Sequence, residues 1–497
     1  MHTSKSLEDC ALANAVNQPE SCRSSSSSPS PDPVPANSPH VLSPTRRLPE
    51  HEVDFAELED GSLVELIEDP DNPAKSLFAI YKNGSVHNAA AVECENRVLV
   101  PVPREQGIFK HVRLPQGTQP YKSPTSLLGQ IMAIILACVD ISRDDACLVA
   151  AFVMSTWVIE SLQVAPYLAL IGLPRSGKTT LLQVLNLLCR RPLLTADVTS
   201  AAFYEVYERL TPTLLVDEAL TSGNRRALFH LLKTGTTRGT VTLRKGRSLK
   251  AFGPKVISCT ELPNDVGVNS RCVIIPMQET SRTNLAKPSD KKILDLTGGL
   301  QQQLLQYRLE NYNSLRLPKV EGDERLYSRT RDLYQALALP LASNADMCGC
   351  LVQLFETQQE INREPLSPSS AAVLRLLYEY IHAHPQVGKC AQQEVTEAVN
   401  LNLEGLQETF RLTPHEVGRA LTSLGFTNRK RTNAGFTLWL DLRTRKRIHK
   451  LAHDHGIDQE AAFREKSFGH DCELCKNARV SDPGSAEKKG DSGIKPK

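Results

Sequence analysis

Apolar and polar positions divide the chain into stretches of different period. From 51 to 122, short apolar runs (LVELI, SLFAIY, RVLVPVP) sit between Gly, Asn and Pro, which predicts a small β-rich module. Ser123 then precedes an apolar stretch to about Asp140, and Ser142 another to about Leu162; each serine reads as the N-cap of a buried helix. Beyond them the period alternates. YLALI, RPLLTAD, TPTLLVDEA, PKVISCT and CVIIPM read as strands, SAAFYEVYERL and SGNRRALFHLLKTG as helices, and TVTLRKGRSLKAFG as a hairpin turning at Gly246. Strands and helices in alternation predict a parallel, three-layer α/β domain. Helical spacing continues over 291–312, 325–341 and 347–361, as a helical lid.

The period changes again after 364. Three capped amphipathic helices (SPSSAAVLRLLYEYIHAH, AQQEVTEAVN, TPHEVGRALTSLG) are followed by FTNRKRTNAGFTLWL, a hairpin around Asn433-Ala434-Gly435. Three helices and a β-wing are the order of a winged helix. The expected division is a disordered Ser/Pro-rich tail over 1–50, the β-rich module over 51–122 and the α/β core with its preceding helices over 123–285. The lid follows over 286–363, the winged helix over 364–442, a basic helix and Cys/His tail over 443–480, and a disordered end over 481–497.

The strand YLALI leads into Gly172-Leu173-Pro174-Arg175-Ser176-Gly177-Lys178-Thr179 and, from Thr180, into a second apolar run at helical offsets. This is P-loop spacing. The glycines let the backbone wrap a phosphate, and the helix N-terminus adds N–H donors and a positive dipole end. Lys178 would reach the β- and γ-phosphates, and the Thr179 hydroxyl would hold Mg²⁺. The strand TLLV delivers Asp217 and Glu218 to the sheet edge that faces that loop. Asp217 would support Mg²⁺ and Glu218 would polarise the attacking water. The expected cofactors are therefore ATP and Mg²⁺.

Composition narrows the class without deciding it. The chain has 497 residues, 40% hydrophobic and 23% charged, with a formal net charge of +2, so only local clusters can indicate a charged partner. Its 13 cysteines are mostly scattered, which suits reduced thiols and a cytoplasmic location rather than a disulfide framework. The start, MHTSKSLEDC, has no apolar core of a signal peptide, and the most apolar segments, 127–139 and 147–159, are too short to span a bilayer.

Residues of about 120–345 resemble P-loop ATPases of the AAA+ and superfamily-3 helicase type, and within them an uncharacterised group found in phage, plasmid and mobile-element proteins, often beside primase modules. The resemblance rests on SLLGQIMAIILACVD, LVAAFVMSTWVI, GLPRSGKTTLL, CRRPLLTADVTSAAFYEVYERLTPTLLVDEA, KTGTTRGTVTLR and KVISCTELPNDVGVNSRCVIIPM in order. It implies a polar sensor at Thr260, or else Ser258, and an arginine finger at Arg271 acting on a neighbouring subunit's ATP. It also implies a second sensor at Arg329 or Arg331, and a homo-oligomeric ring with a primase or other replication partner. The hairpin would carry Arg244, Lys245, Arg247 and Lys250 into a central pore, against nucleic acid phosphates.

Around the winged helix, Arg411, Arg419, Arg429, Lys430 and Arg431 are followed by Arg443, Arg445, Lys446, Arg447 and Lys450, a basic cluster that suits DNA or RNA, with DNA favoured. In the tail, His470, Cys472 and Cys475 offer part of a zinc site, with His449, His453 and His455 nearby. The expected activity is an ATP-driven motor, a DNA helicase or translocase of a mobile element. The rival is a nucleotide-switch ATPase whose winged helix binds DNA or a protein.

Overall fold

The computed structural model describes residues 48–459, Cys472 and Leu474. Left out are 105–106, 219–224, 245, 264, 362–365 and 433–434, and the side chains of 225–227, 244 and 459. The first strands are β1 (Glu50–Val53), β2 (Phe55–Glu57), β3 (Leu63–Glu68), β4 (Ser76–Lys82), β5 (Ser85–Ala89), β6 (Val92–Cys94) and β7 (Arg97–Pro101). They form an antiparallel sheet in the order β2-β3-β4-β5 and a second sheet, β1-β7-β6. Strand β3 is buried along nearly its whole length, and the module shares one continuous hydrophobic core with the domain that follows.

Helices α1 (Pro124–Cys138) and α2 (Arg143–Thr156) begin where the serines predict. Ser123 accepts from the Ser126 N–H, and Ser142 from the Asp145 N–H, satisfying donors that a helix start leaves open. Helix α2 ends earlier than its apolar pattern, which continues through a turn and a 3-10 segment at Ile159–Ser161. Apolarity here marks burial, and period alone does not fix where the helix stops.

Strands β8 (Tyr167–Ile171), β9 (Pro192–Thr195), β10 (Thr213–Val216), β13 (Lys255–Cys259) and β14 (Cys272–Pro276) form one parallel sheet, ordered β14-β8-β13-β10-β9. The hairpin strands β11 (Val241–Arg244) and β12 (Arg247–Lys250) stand apart as a pair. Helices α3 (Lys178–Leu188), α4 (Ser200–Arg209), α5 (Arg225–Thr234) and the short α6 (Val266–Asn269) complete this domain. The chain leaves β8 towards the β9 edge, whereas β13 to β14 crosses β8 the other way. The C-terminal end of β8 is thus a topological switch point, where open α/β sheets bind ligands. A mixed α/β domain with this parallel sheet fits a P-loop NTPase core.

Helices α7 (Lys291–Asn311), α8 (Ser328–Ala338) and α9 (Ala345–Ile361) follow. Strand β14 would present an open edge, but the Gln358 amide of α9 accepts from the Ile274 N–H at 2.8 Å and donates to the Ile274 carbonyl at 2.9 Å. One side chain so replaces a strand partner and closes the edge. The last module comprises α10 (Pro368–Ala383), β15 (Lys389–Ala391), α11 (Gln392–Gly405), α12 (Pro414–Ser423), β16 (Arg429–Thr432), β17 (Gly435–Trp439) and α13 (Leu442–Asp454). Its antiparallel sheet has the order β15-β17-β16. It has a separate core, in which Ile448 and Ala452 of α13 pack beside Val373 and Leu377 of α10. The basic helix therefore belongs to this module. Among the described residues, no helix is long and apolar enough to cross a membrane.

Candidate functional site: a phosphate-binding loop and its sheet edge

The loop between β8 and α3 is built around two glycines. A Cβ on Gly172 would lie 2.2 Å from the Met277 carbonyl oxygen, so no other residue fits there. Gly177 caps α3 at φ 87°, in the left-handed region where glycine carries no steric penalty. Leu173 stands 73% exposed at the tip, so the loop rim is open. Lys178 Nζ donates to the carbonyls of Gly172 at 2.6 Å and Leu173 at 2.9 Å. Both acceptors are exchangeable loop groups within the loop's own span.

A line of hydrogen bonds crosses the sheet edge from α3 to β13. The Thr179 hydroxyl donates to Asp217 Oδ2 at 2.9 Å, and the Ser258 hydroxyl to Asp217 Oδ1 at 2.6 Å. The Asp217 N–H donates to the Thr195 carbonyl, which holds the residue at the end of β10. Glu218 is exposed, and φ 51° turns it out of the strand. Its N–H donates to Ser258 Oγ at 3.0 Å and Asp217 Oδ1 at 3.1 Å. A non-glycine residue at positive φ is uncommon and concentrates at functional sites. Thr260 is exposed just beyond β13, and Ser258 is fully buried within it. Alternation puts both on one face of the strand, and Ser258 is the one that contacts Asp217.

Arg271 lies at the other end of the sheet. Cys272 is paired with Tyr167 and Pro276 with Ile171, so Arg271 sits six positions below the loop, about 20 Å at a strand's rise per residue. It cannot reach the loop of its own chain. Its guanidinium donates to the Gly267 carbonyl, and Arg329 donates to Ser270 Oγ at 2.6 Å beside it. Burial and the neighbouring Arg329 both push the Arg271 pKa down. Arg331 instead donates to the Asp323 carbonyl at 2.8 Å.

The hairpin β11–β12 turns with Gly246 at φ 76° and pairs Arg244 with Arg247. Leu243 is 80% exposed. Arg247 lies 3.5 Å from Glu208 across open solvent, and Lys250 is exposed. Lys245 and the Arg244 side chain fall outside the described residues. Beneath the hairpin, the buried Lys255 Nζ donates to the Ala251 and Gly253 carbonyls at 2.8 Å and to the Tyr167 hydroxyl at 3.1 Å. The rings of Tyr167, Phe203 and Tyr207 surround it. Burial drives its pKa well down.

In the last module the basic residues divide. Arg419, Lys430 and Arg431 are exposed. Arg429 is spent on α12, donating to the Gly418 carbonyl at 3.0 Å and Thr422 Oγ1 at 2.6 Å. Arg445 donates to three carbonyls, those of Ile381, Val387 and Leu440. Cys472 meets His449, with Sγ 3.3 Å from Nε2, and His382 stands beside them. His453 pairs with Asp458. His470 and Cys475 lie outside the described residues. Sequence reasoning did not single out His382, Ser258 as the direct Asp217 contact, or the buried charge cluster at Glu65. The CxxC at 472 was the available signal for the first.

No protein-family model matches the chain, and no curated protein matches it in sequence. It is similar in structure to the apo C-terminal region of NrS-1, at 10% identity and a TM-score of 0.36, over 76% of this chain and 96% of that one. It is also similar to SCCmec type IV Cch, described as an active helicase, at 10% identity and a TM-score of 0.40, over 82% and 80%. A full-length MCM homolog from Methanopyrus kandleri is similar at 11% identity and a TM-score of 0.35, over 59% and 70%. At these identities the likeness concerns the chain path alone.

Proposed function

We propose that this chain is an AAA+-type ATPase that works as a motor on nucleic acid, a DNA helicase or translocase. The hydrogen-bonded line Thr179–Asp217–Ser258 at the mouth of the P-loop carries the reading. A hydroxyl and a carboxylate already in contact beside the loop fit a Mg²⁺ site, and Gly177, left-handed at the start of α3, gives the loop-to-helix turn that wraps a triphosphate. The loop's N–H groups from 175 to 180 bind the phosphates, and Lys178 exchanges its two loop carbonyls for phosphate oxygens. Thr179 and Asp217 hold the Mg²⁺, which when bound withdraws charge from the transferred phosphoryl group. Glu218 orients the attacking water and accepts its proton. Ser258, with Thr260 beyond it, couples that edge to β13.

Arg271 stands too far from its own loop to serve it, which supports action on a neighbour's site and a ring of identical subunits. The hairpin cations Arg244, Lys245, Arg247 and Lys250 would grip phosphates without reading sequence. We read the last module as a winged helix that offers Arg419, Lys430 and Arg431 to nucleic acid. ATP turnover of the full chain, measured with and without single-stranded DNA, tests the assignment. Wild type is expected to hydrolyse ATP faster with DNA and to separate strands. Lys178→Ala is expected to lose about 100-fold or more of the turnover, since several kcal/mol of charge stabilisation goes with it. Unchanged turnover in Lys178→Ala would refute the site. DNA-stimulated turnover without strand separation would leave a switch in place of a motor.

A further inference from the structure

We infer that His382, His449 and Cys472 are ligands of a structural zinc ion in the last module, a site independent of the nucleotide reading. The three come from separate parts of the chain: the C-terminal turn of α10, the middle of α13, and the segment beyond it. Their ligating atoms all lie within 4.8 Å of one another. The Sγ–Nε2 separation of 3.3 Å is close to the roughly 3.3–3.7 Å edge of a tetrahedron with Zn–N near 2.0 Å and Zn–S near 2.3 Å.

Both imidazoles are oriented in the same way. His382 Nδ1 lies 2.7 Å from the Tyr378 carbonyl, and His449 Nδ1 lies 2.8 Å from the Arg445 carbonyl, each four residues back in its own helix. A carbonyl only accepts, so each Nδ1 bears the proton and each Nε2 presents its lone pair. That is how ligating histidines are held, with the outer nitrogen donating to a carbonyl that fixes the tautomer. His449 is 6% exposed, and the two rings pack at 4.9 Å with Tyr378 against both.

Two nitrogens and a thiolate suit zinc or copper. The sequence favours zinc, because Cys475 follows Cys472 at the CxxC spacing of zinc ligand pairs. Bound zinc would fasten α10 to α13 and tie the chain beyond α13 to both.

The test is the metal content of the full chain, purified from zinc-supplied medium and read by mass spectrometry. About one zinc per chain is expected, falling below about a tenth in Cys472→Ser and in His382→Gln, with helical circular dichroism retained. His384→Ala, an exposed change on the same helix end, is expected to keep the full equivalent. Cobalt exchanged into wild type should show thiolate-to-metal charge transfer and intense tetrahedral visible bands, both absent in Cys472→Ser. A wild-type chain that purifies nearly metal-free and gives no cobalt bands overturns the proposal. So does His382→Gln that retains its zinc, or copper in place of zinc.

Discussion

Glu65 and Asp217 are both carboxylates held by several hydrogen bonds, yet their partners differ in kind. Glu65, on β3, is 2% exposed and is met by Arg190, Arg191 and Arg308, which come from two distant parts of the chain. Glu160 and Asp54 complete the group, so three carboxylates face three guanidiniums. Asp217 is met by two hydroxyls and an amide, with no cation among its hydrogen-bond partners in the described residues. The first arrangement is closed: three carboxylates and three guanidiniums meet one another inside the protein. The second is short of positive charge at an open sheet edge, which is the condition for taking up a divalent cation. The same side-chain chemistry thus holds the N-terminal module in place at one point and, under the proposed function, would receive Mg²⁺ at the other.

The largest expected effect lies in the closed cluster. Glu65→Ala removes the anion from beneath three buried guanidiniums, and breaking a buried ion network in this way costs about 3–5 kcal/mol. Urea unfolding should show that loss, with turnover of the remaining folded protein unchanged. Lys178→Ala should do the reverse, since its partners are exchangeable loop carbonyls. A Glu65→Ala chain within about 1 kcal/mol of wild type would mean that the cluster is not a fastening.

Acid should sharpen the contrast by a smaller amount. Burial raises the Glu65 carboxyl, but the three guanidiniums outweigh it and hold the group below its ordinary value; Glu160 is held down in the same way. A carboxylate depressed in the folded state contributes stability that is complete above the unfolded value of about 4.5. The contribution disappears as pH falls through the lower folded value, because the unfolded chain takes up the proton first. Each such group adds up to about 1.4 kcal/mol per pH unit to the slope in that window. Stability measured from pH 6 to pH 3 should therefore fall less steeply in Glu65→Gln than in wild type, from a lower start. Equal slopes would assign acid unfolding to other groups.

What the sequence made legible follows the range of the contacts. The P-loop, the TLLV strand end, the hairpin turn and the serine caps of α1 and α2 are set by residues within about a dozen positions of one another, and spacing records them. Glu65 looks like a polar interruption in LVELI, because its partners lie 125, 126 and 243 residues away. His382 and His449 are likewise brought together by the packing of α10 on α13, 67 residues apart in the chain. The end of α2 at Thr156 leaves no mark in the apolar pattern, because a fully buried helix and a buried turn are equally apolar.

Ser258 is the finest case, and the smallest effect. Strand alternation gives Ser258 and Thr260 the same face, so the sequence could not separate them; the register of β13 against β10, with Ile257 opposite Val216, sets Ser258 level with Asp217. Its hydroxyl donates to the carboxylate and accepts from the Glu218 N–H, so it fixes both acidic residues at once. Ser258→Ala removes one hydrogen bond to a charged group and leaves one N–H with a single acceptor, worth about 1.5–3 kcal/mol if fully felt in the transition state. Because Thr179 still holds Oδ2, turnover should fall about tenfold, the low end of that range. Thr260→Ala tests the same edge from the exposed side. If Thr260 alone contacts the reacting phosphate, its loss will exceed that of Ser258, and the coupling of Asp217 to β13 through Ser258 will prove to be positional support for the carboxylate and no part of nucleotide sensing.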